Sequence, residues 1–222
     1  MQCDTRERPL RWYRFGASVI VAAACALCAA AVVLGRDRGN DALLYFYPAG
    51  DRGHPGLVGV ATAVGLYSIA LIGGMLSLSV SDSDMRRGWV GLAGLFVFVA
   101  ADYLLQLHGL VPFGDLIARP FYWVGLFLVA RRLAPALGGR QGRGFLVLGV
   151  ALFALSEIVD LYPPGDDPSY RFHQFVAVIE ESALTIGAWS LTAAMLGFAL
   201  TELRPQAAIR DEVAEPAPLR PG

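Results

Sequence analysis

Lysine is absent from this chain, and charged residues of any kind are scarce. All 18 basic side chains are arginine, and charged residues make up 17% of the 222 positions against 55% hydrophobic residues. A soluble domain carries about a quarter charged residues, so this composition excludes an ordinary soluble protein and predicts a single-domain integral membrane protein. The arginines form no basic patch, which predicts no nucleic-acid partner. The use of Arg, Ala and Gly is typical of GC-rich bacterial coding.

Cysteine and the short catalytic motifs are also scarce. Three cysteines imply no disulfide framework. Cys25 and Cys28 stand i,i+3 in an alanine-rich run, where cysteine is expected to act as a small apolar residue. No Gly-x-Ser-x-Gly stretch occurs, so serine hydrolysis is a poor fit. The sequence also lacks the closely spaced HxxxH and ExxH pairs that many metal sites use.

Long apolar runs are present instead. A helix needs about 20 residues to cross a ~30 Å hydrocarbon core, and six stretches qualify. The predicted spans are Phe15–Gly35, Leu57–Val80, Gly88–His108, Phe113–Ala130, Gly144–Tyr162 and Phe172–Thr201. The fourth requires Asp115 and Arg119, spaced i,i+4, to neutralise each other. Alternatively, its helix begins at Pro120 and forms a short or re-entrant segment.

The distribution of arginine predicts the orientation. With six spans, thirteen arginines fall on the side of both termini and five on the other side. Because cytoplasmic loops collect basic residues, both termini are expected inside. The predicted fold class is an all-α, polytopic bundle of the bacterial inner membrane, with the lipid bilayer as its one predicted partner. Its predicted parts are an Arg-rich N-terminus (1–14), the six-helix domain (15–203) and a disordered cytoplasmic tail (204–222).

Acidic and histidine residues are expected in one layer, in the outer part of the membrane core. Counting residues along each span places Asp102 and Glu157 roughly 20 Å from the cytoplasmic border, and Glu180 and Glu181 at about 30 Å. The predicted outer layer contains Asp102, His108, Glu157, Asp160, His173, Glu180 and Glu181. Isolated charges at such depth cost at least a few kcal/mol, so these groups are expected to face one another or water.

Three stretches of this layer resemble a group of uncharacterised bacterial multi-pass membrane proteins. The motifs of that group read roughly LDExxxxHE, then a lone Glu, then VEExxExxG. The matching stretches are "VAADYLLQLHG" with Asp102 and His108, "LFALSEIVDLY" with Glu157, and "VIEESALTIG" with Glu180, Glu181 and Gly187. Three motif acids are replaced here, by Tyr103, Gly109 and Leu184. The resemblance covers roughly residues 90–200 and implies that the carboxylates and His108 form one site, without naming a reaction.

Three hypotheses for this layer stay open. The first is a divalent-metal site acting on a membrane-borne substrate, with zinc, or with iron or manganese if carboxylates dominate. Its candidate ligands are Asp102, His108, Glu157 and Glu180, with Glu181 or His173 as a general base. The second is proton-coupled transport or sensing through the carboxylates. The third is a structural or partner-binding polar cluster without chemistry.

Overall fold

The protein is helical throughout the part that the structure describes. This computed structural model describes residues 8–37, 43–46, 56–105, 107, 114–137, 142–160 and 170–214. Its helices are α1 (Arg8–Asp37), α2 (Leu43–Phe46), α3 (Leu57–Ser79), α4 (Ser83–Leu105), α5 (Gly114–Leu137), α6 (Arg143–Asp160) and α7 (Tyr170–Ala214). The predicted all-α class is confirmed for these residues.

Four of the helices are long and apolar enough to cross a membrane, as expected for a membrane protein. The four spans are Trp12–Leu34, Leu57–Ser79, Ser83–Leu105 and Phe175–Thr201. Helices α5 and α6, the predicted fourth and fifth spans, have 24 and 18 residues, enough for about 36 and 27 Å of helix. Neither is among the four helices that are apolar enough to cross, so the number of six spans stays a prediction.

Three details differ from the expectations. Helix α5 begins at Gly114 and continues through Pro120, so the helix does not start at the proline. Helix α7 continues to Ala214, so residues 204–214, expected in the disordered tail, are helical. The short helix α2 was not predicted. Its Phe46 is fully buried against Cys28 and Val58, and this apolar contact holds α2 to the bundle.

Two helix starts have a local cause. Asp82 Oδ1 accepts a 2.7 Å hydrogen bond from the backbone N–H of Met85, which caps the amino end of α4. Gly142, directly before α6, has a φ of +94°, which favours glycine. A Cβ at Gly142 would also lie 2.9 Å from Tyr13 Oη and 3.0 Å from the Ala194 carbonyl oxygen. Glycine is required there by both backbone conformation and space.

Helix α7 is the centre of the bundle. It packs against α1, α3 and α6, and 67% of its most apolar stretch is buried, against 22% for α1. Glycines allow α6 to approach α7 closely. A Cβ at Gly149 would lie 2.6 Å from Leu191 Cγ, and one at Gly187 would lie 3.1 Å from Phe153 Cδ2. Since residue numbers rise along α6 as they fall along α7, the two helices are antiparallel.

Helices α4 and α5 form a second antiparallel pair. A Cβ at Gly88, near the start of α4, would lie 2.8 Å from Leu133 Cδ2, near the end of α5. Further along, a Cβ at Gly125 would lie 3.1 Å from Leu95 Cδ1. The two contacts fix the register of this pair.

Helix α3 runs parallel to α7. Thr62 and Thr185 are joined by a hydrogen bond, and a Cβ at Gly65 would lie 3.1 Å from Ala188 Cβ. Residue numbers therefore rise together along the two helices. Helix α3 is in turn antiparallel to α4, to which only Val80–Asp82 connect it.

Helix α1 runs against α7. Tyr13 Oη, near the start of α1, donates a 2.8 Å hydrogen bond to the Ala193 carbonyl oxygen. The Cys28 thiol, further along α1, lies beside Ser182 on α7. Residue numbers thus rise along α1 as they fall along α7.

The six long helices therefore alternate in direction. The carboxyl ends of α1, α4 and α6 lie with the amino ends of α3, α5 and α7 at one end of the bundle, the polar end. The opposite end, the basic end, carries the exposed arginines Arg14, Arg86, Arg87, Arg131, Arg132 and Arg143. An apolar core that includes Leu66, Trp89 and Phe198 connects α3, α4 and α7.

Candidate functional site

The first polar contact at the polar end joins α4 to α7. Tyr103 Oη donates a 2.6 Å hydrogen bond to Glu181 Oε2, and Glu181 is buried, with 8% of its surface exposed. Both side chains lie on helices that are apolar enough to cross a membrane, where an acidic group needs a partner. The Tyr103 phenol therefore satisfies one carboxyl oxygen and ties α4 to α7.

The second contact joins α4 to α5 with the roles reversed. Tyr122 Oη donates a hydrogen bond to Asp102 Oδ2, and Asp102 is buried. Asp102 and Tyr103 are neighbours on α4, and neighbours on a helix point about 100° apart. One side chain therefore reaches α5 and the other reaches α7. Helix α4 therefore accepts a hydrogen bond from the Tyr122 phenol and donates one from its own Tyr103 phenol.

Arg119 on α5 brings a positive charge into the site. Its guanidinium lies within electrostatic range of Glu157 on α6 and of Glu180 on α7. Glu180 also lies within electrostatic range of Glu157 and Glu181. Together with Asp102, four acidic side chains gather at this end near a single described guanidinium, so the described groups carry an excess of negative charge when ionised.

We call these side chains the polar ring. Its members are Asp102, Tyr103, Arg119, Tyr122, Glu157, Glu180 and Glu181. Apart from the ring, α5 packs mainly against α4, and α6 mainly against α7. At the polar end, Arg119 places the positive charge of α5 within electrostatic range of the acids on α6 and α7.

Buried hydroxyl groups lie one helical turn further into the bundle. Thr62 Oγ1 and Thr185 Oγ1 are 2.6 Å apart across the α3–α7 contact. Thr185 Oγ1 also donates a 2.7 Å hydrogen bond to the Glu181 carbonyl oxygen. The Cys28 thiol lies beside Thr185, and the Tyr103 phenol lies beside Thr62. These groups extend the polar contacts to α1 and α3.

The structure brings together part of the predicted metal-ligand set. Glu157 and Glu180 interact with each other, whereas Asp102 is bound by Tyr122 on the α5 side. His108 lies outside the described residues. Among the described residues, no three His, Cys, Asp or Glu side chains are grouped to hold a metal ion. The predicted set, which includes His108, stays a prediction.

Of the two predicted general bases, the structure describes the side chain of Glu181 but not that of His173. Glu181 accepts a hydrogen bond from Tyr103. His173 lies in α7, but its side chain is outside the described part of the chain. A catalytic role for either residue is untested.

Tyr122 and Arg119 are the ring members that sequence reasoning missed. The sequence pairs Arg119 with Asp115, whose side chain lies outside the described residues, so that pair is untested. The antiparallel register of α4 and α5 indicates that Tyr122 and Arg119 lie near Asp102. The contacts of Gly88 and Gly125, continued towards the polar end, bring Asp102 level with Arg119, and Tyr122 lies one turn along the same helix.

No family model, curated protein or solved structure matches this chain. The resemblance to the bacterial membrane family is therefore untested and stays a prediction. Tyr103, however, stands where the first motif of that family has a glutamate, and it donates a hydrogen bond to Glu181.

Proposed function

We propose that this chain is a proton-responsive, non-enzymatic protein of the bacterial inner membrane, acting in proton-coupled transport or in sensing. The observation that carries the proposal is the position of Arg119, which lies within electrostatic range of both Glu157 and Glu180. This position links α5, α6 and α7 through charge. An attraction of this kind is present when the carboxylates are ionised and is lost when they bind protons.

We further propose six spans with both termini in the cytoplasm. The thirteen-to-five division of arginines supports this orientation. The alternating direction of the six long helices supports the number of spans, because α5 and α6 lie alongside partners that are apolar enough to cross. The polar end then faces the periplasm, and periplasmic protons reach the ring.

Helix α5 is the element that protonation releases. Its packing is mainly against α4, and Phe121, Val124 and Phe127 on α5 are more than half exposed. The Tyr122–Asp102 hydrogen bond keeps α5 attached to α4. Once Glu157 and Glu180 are neutral, α5 keeps this attachment but loses its attraction to α6 and α7. The released state is therefore the acidic one, and the closed state is present at higher pH.

The distance between α5 and α6 tests this proposal. Spin labels at Val124→Cys and Ile158→Cys, both at exposed positions, are introduced into full-length protein whose native cysteines are replaced by alanine. Pulsed electron paramagnetic resonance in lipid nanodiscs then measures the distance at neutral and at acidic pH. We expect a longer distance at acidic pH. A distance that does not change with pH contradicts the proposal.

Two further variants show which groups respond. Glu157→Gln combined with Glu180→Gln should give the longer distance at both pH values, because both side chains are then permanently neutral. Asp84→Asn removes an exposed acid at the basic end and should leave the response to pH unchanged. A response that survives in the double variant would assign it to other groups.

Binding of a divalent cation is the second candidate function. The observation in its favour is the excess of acidic side chains over described guanidinium groups in the polar ring. Carboxylates with imidazole suit zinc, and more carboxylates suit iron or manganese. The ligands would be Glu157 and Glu180 with Asp102 and His108, and catalytic roles for Glu181 or His173 belong to this candidate.

Metal analysis of detergent-purified protein separates the two candidates. If a metal is bound, Glu180→Gln lowers the metal content and the melting temperature together, because a bound ion stabilises the folded state. If the acids only bind protons, neither the wild-type protein nor Glu180→Gln contains a metal, and a chelator leaves both melting temperatures unchanged. Metal-free protein whose melting temperature does not respond to a chelator would exclude the second candidate.

A further inference from the structure

Four arginines come together at the basic end of the α4–α5 pair. Arg86 and Arg87 lie in the first turns of α4, directly before Gly88. A Cβ at Gly88 would lie 3.4 Å from Arg132 Cβ on α5, and Arg131 precedes Arg132. All four arginine side chains are exposed. Two adjacent helix ends therefore present four positive charges at one place.

Two aspartates compensate only part of this charge. Arg87 lies 3.7 Å from Asp84, with both side chains mostly exposed, and Asp82 is occupied in capping α4. Arg131 and Arg132 form no ion pair with any residue that the structure describes. The positive charge of the α5 end is therefore available to an external anion.

Apolar side chains adjoin the arginines on the same two helices. Val90 on α4 and Leu128 on α5 lie about one turn further into the bundle, and they are 55% and 54% exposed. A soluble anion would use only the arginines. A molecule with an anionic head and hydrocarbon chains would use both surfaces, since the chains can cover the exposed apolar groups.

We infer that the basic end of α4 and α5 binds an anionic phospholipid. The phosphate-bearing head contacts Arg131 and Arg132, with Arg86 and Arg87 adding attraction, and the acyl chains lie along Val90 and Leu128. This site is separate from the polar ring, so it does not depend on the function proposed for the ring.

Lipid titration of the full-length protein in a non-ionic detergent tests the inference. Phosphatidylglycerol, phosphatidylcholine and inorganic phosphate are added separately, and the melting temperature and the lipid bound per protein are measured. We expect phosphatidylglycerol to bind and to raise the melting temperature, and the other two to have little effect. High salt should weaken the binding because it screens the charges. Equal effects of the two lipids, or insensitivity to salt, would overturn the inference.

A matched pair of variants locates the site. Arg131→Gln with Arg132→Gln should weaken phosphatidylglycerol binding roughly tenfold, because each arginine adds attraction at the head group. Arg14→Gln with Arg143→Gln removes the same charge from exposed positions on α1 and α6 at the same end and should preserve most of the binding. If the second pair loses as much as the first, the attraction is a general property of the basic end, and the site is refuted.

Discussion

The two ends of the bundle differ in the burial of their charged side chains. At the polar end, Asp102 and Glu181 are buried, and each accepts a hydrogen bond from a phenol on a neighbouring helix. At the basic end, charged side chains such as Arg86 and Arg131 are exposed, and beneath them lies an apolar core with Trp89 and Leu133. Substitutions at the polar end should therefore break specific contacts between helices, whereas those at the basic end should change attraction to the surroundings.

The largest expected loss affects both ends, because it separates α6 from α7. A Cβ at Gly149 would lie 2.6 Å from Leu191 Cγ and 3.0 Å from its backbone nitrogen, which cannot move aside without shifting α7. Gly149→Ala should lower the free energy of unfolding by about 3 kcal/mol, measured by equilibrium unfolding in detergent. Gly144→Ala is the control, since a Cβ there has no neighbour within 4 Å. Equal stability of the two variants would contradict the close α6–α7 packing.

The next largest loss is confined to the polar end. Tyr103→Phe removes the donor to the buried Glu181 carboxylate and should cost about 2 kcal/mol, since a buried acceptor loses its partner. Tyr67→Phe is the control, because Tyr67 is 39% exposed. Adding Glu181→Leu to Tyr103→Phe should recover part of the loss, as an apolar pair leaves no unsatisfied group. Similar unfolding midpoints for Tyr103→Phe and Tyr67→Phe would show that the phenol contributes nothing specific.

A smaller loss of stability is expected for a substitution one helical turn below the polar ring. Thr185→Val removes the hydroxyl that bonds Thr62 across the α3–α7 contact, and such bonds in membranes contribute about 0.6 kcal/mol on average. Thr201→Val is matched to it, because Thr201 bonds only carbonyls of its own helix. The difference between the two variants in unfolding experiments measures the contact between helices. No difference would mean that the Thr62–Thr185 bond does not help to hold α3 on α7.

The smallest effect is expected at the basic end. Asp84→Asn breaks the 3.7 Å ion pair with Arg87, in which both side chains are mostly exposed. Exposed pairs contribute little, so the free energy of unfolding should change by less than about 0.5 kcal/mol. A loss as large as that of Tyr103→Phe would remove the contrast between the two ends.

Much of the fold could be predicted from the sequence. The uncharged run predicts a helix over Leu57–Val80, because a run of this length has no other stable form in a bilayer. Helix α3 is observed as Leu57–Ser79. The boundary of α5 was harder, since Pro120 is compatible with either a start or an interior position. Helix α2 could not be predicted, because it depends on Phe46 contacting residues far away in the chain.

The site is less predictable than the fold, because the depth of a side chain in the membrane can be counted from the sequence, whereas the direction in which it points cannot. Counting residues gives the depth of Asp102 or Glu180 along a helix. It does not give the rotation of α4 against α5, which decides that Tyr122 contacts Asp102. In a bilayer both faces of a helix are apolar, so hydrophobicity gives little indication of which face meets a neighbour. Small residues such as Gly88 and Gly125 carry that information.

The central position of α7 has a consequence for biosynthesis. Chains are made from the amino end, so α1 enters the membrane before its partner α7 exists, although Tyr13 bonds the carbonyl of Ala193. The contact between α6 and α7 and the parallel contact between α3 and α7 are delayed in the same way. Until α7 is inserted, Tyr103 has no Glu181 to bond. The last of the described helices to be translated is therefore the one that joins the earlier helices into a single bundle.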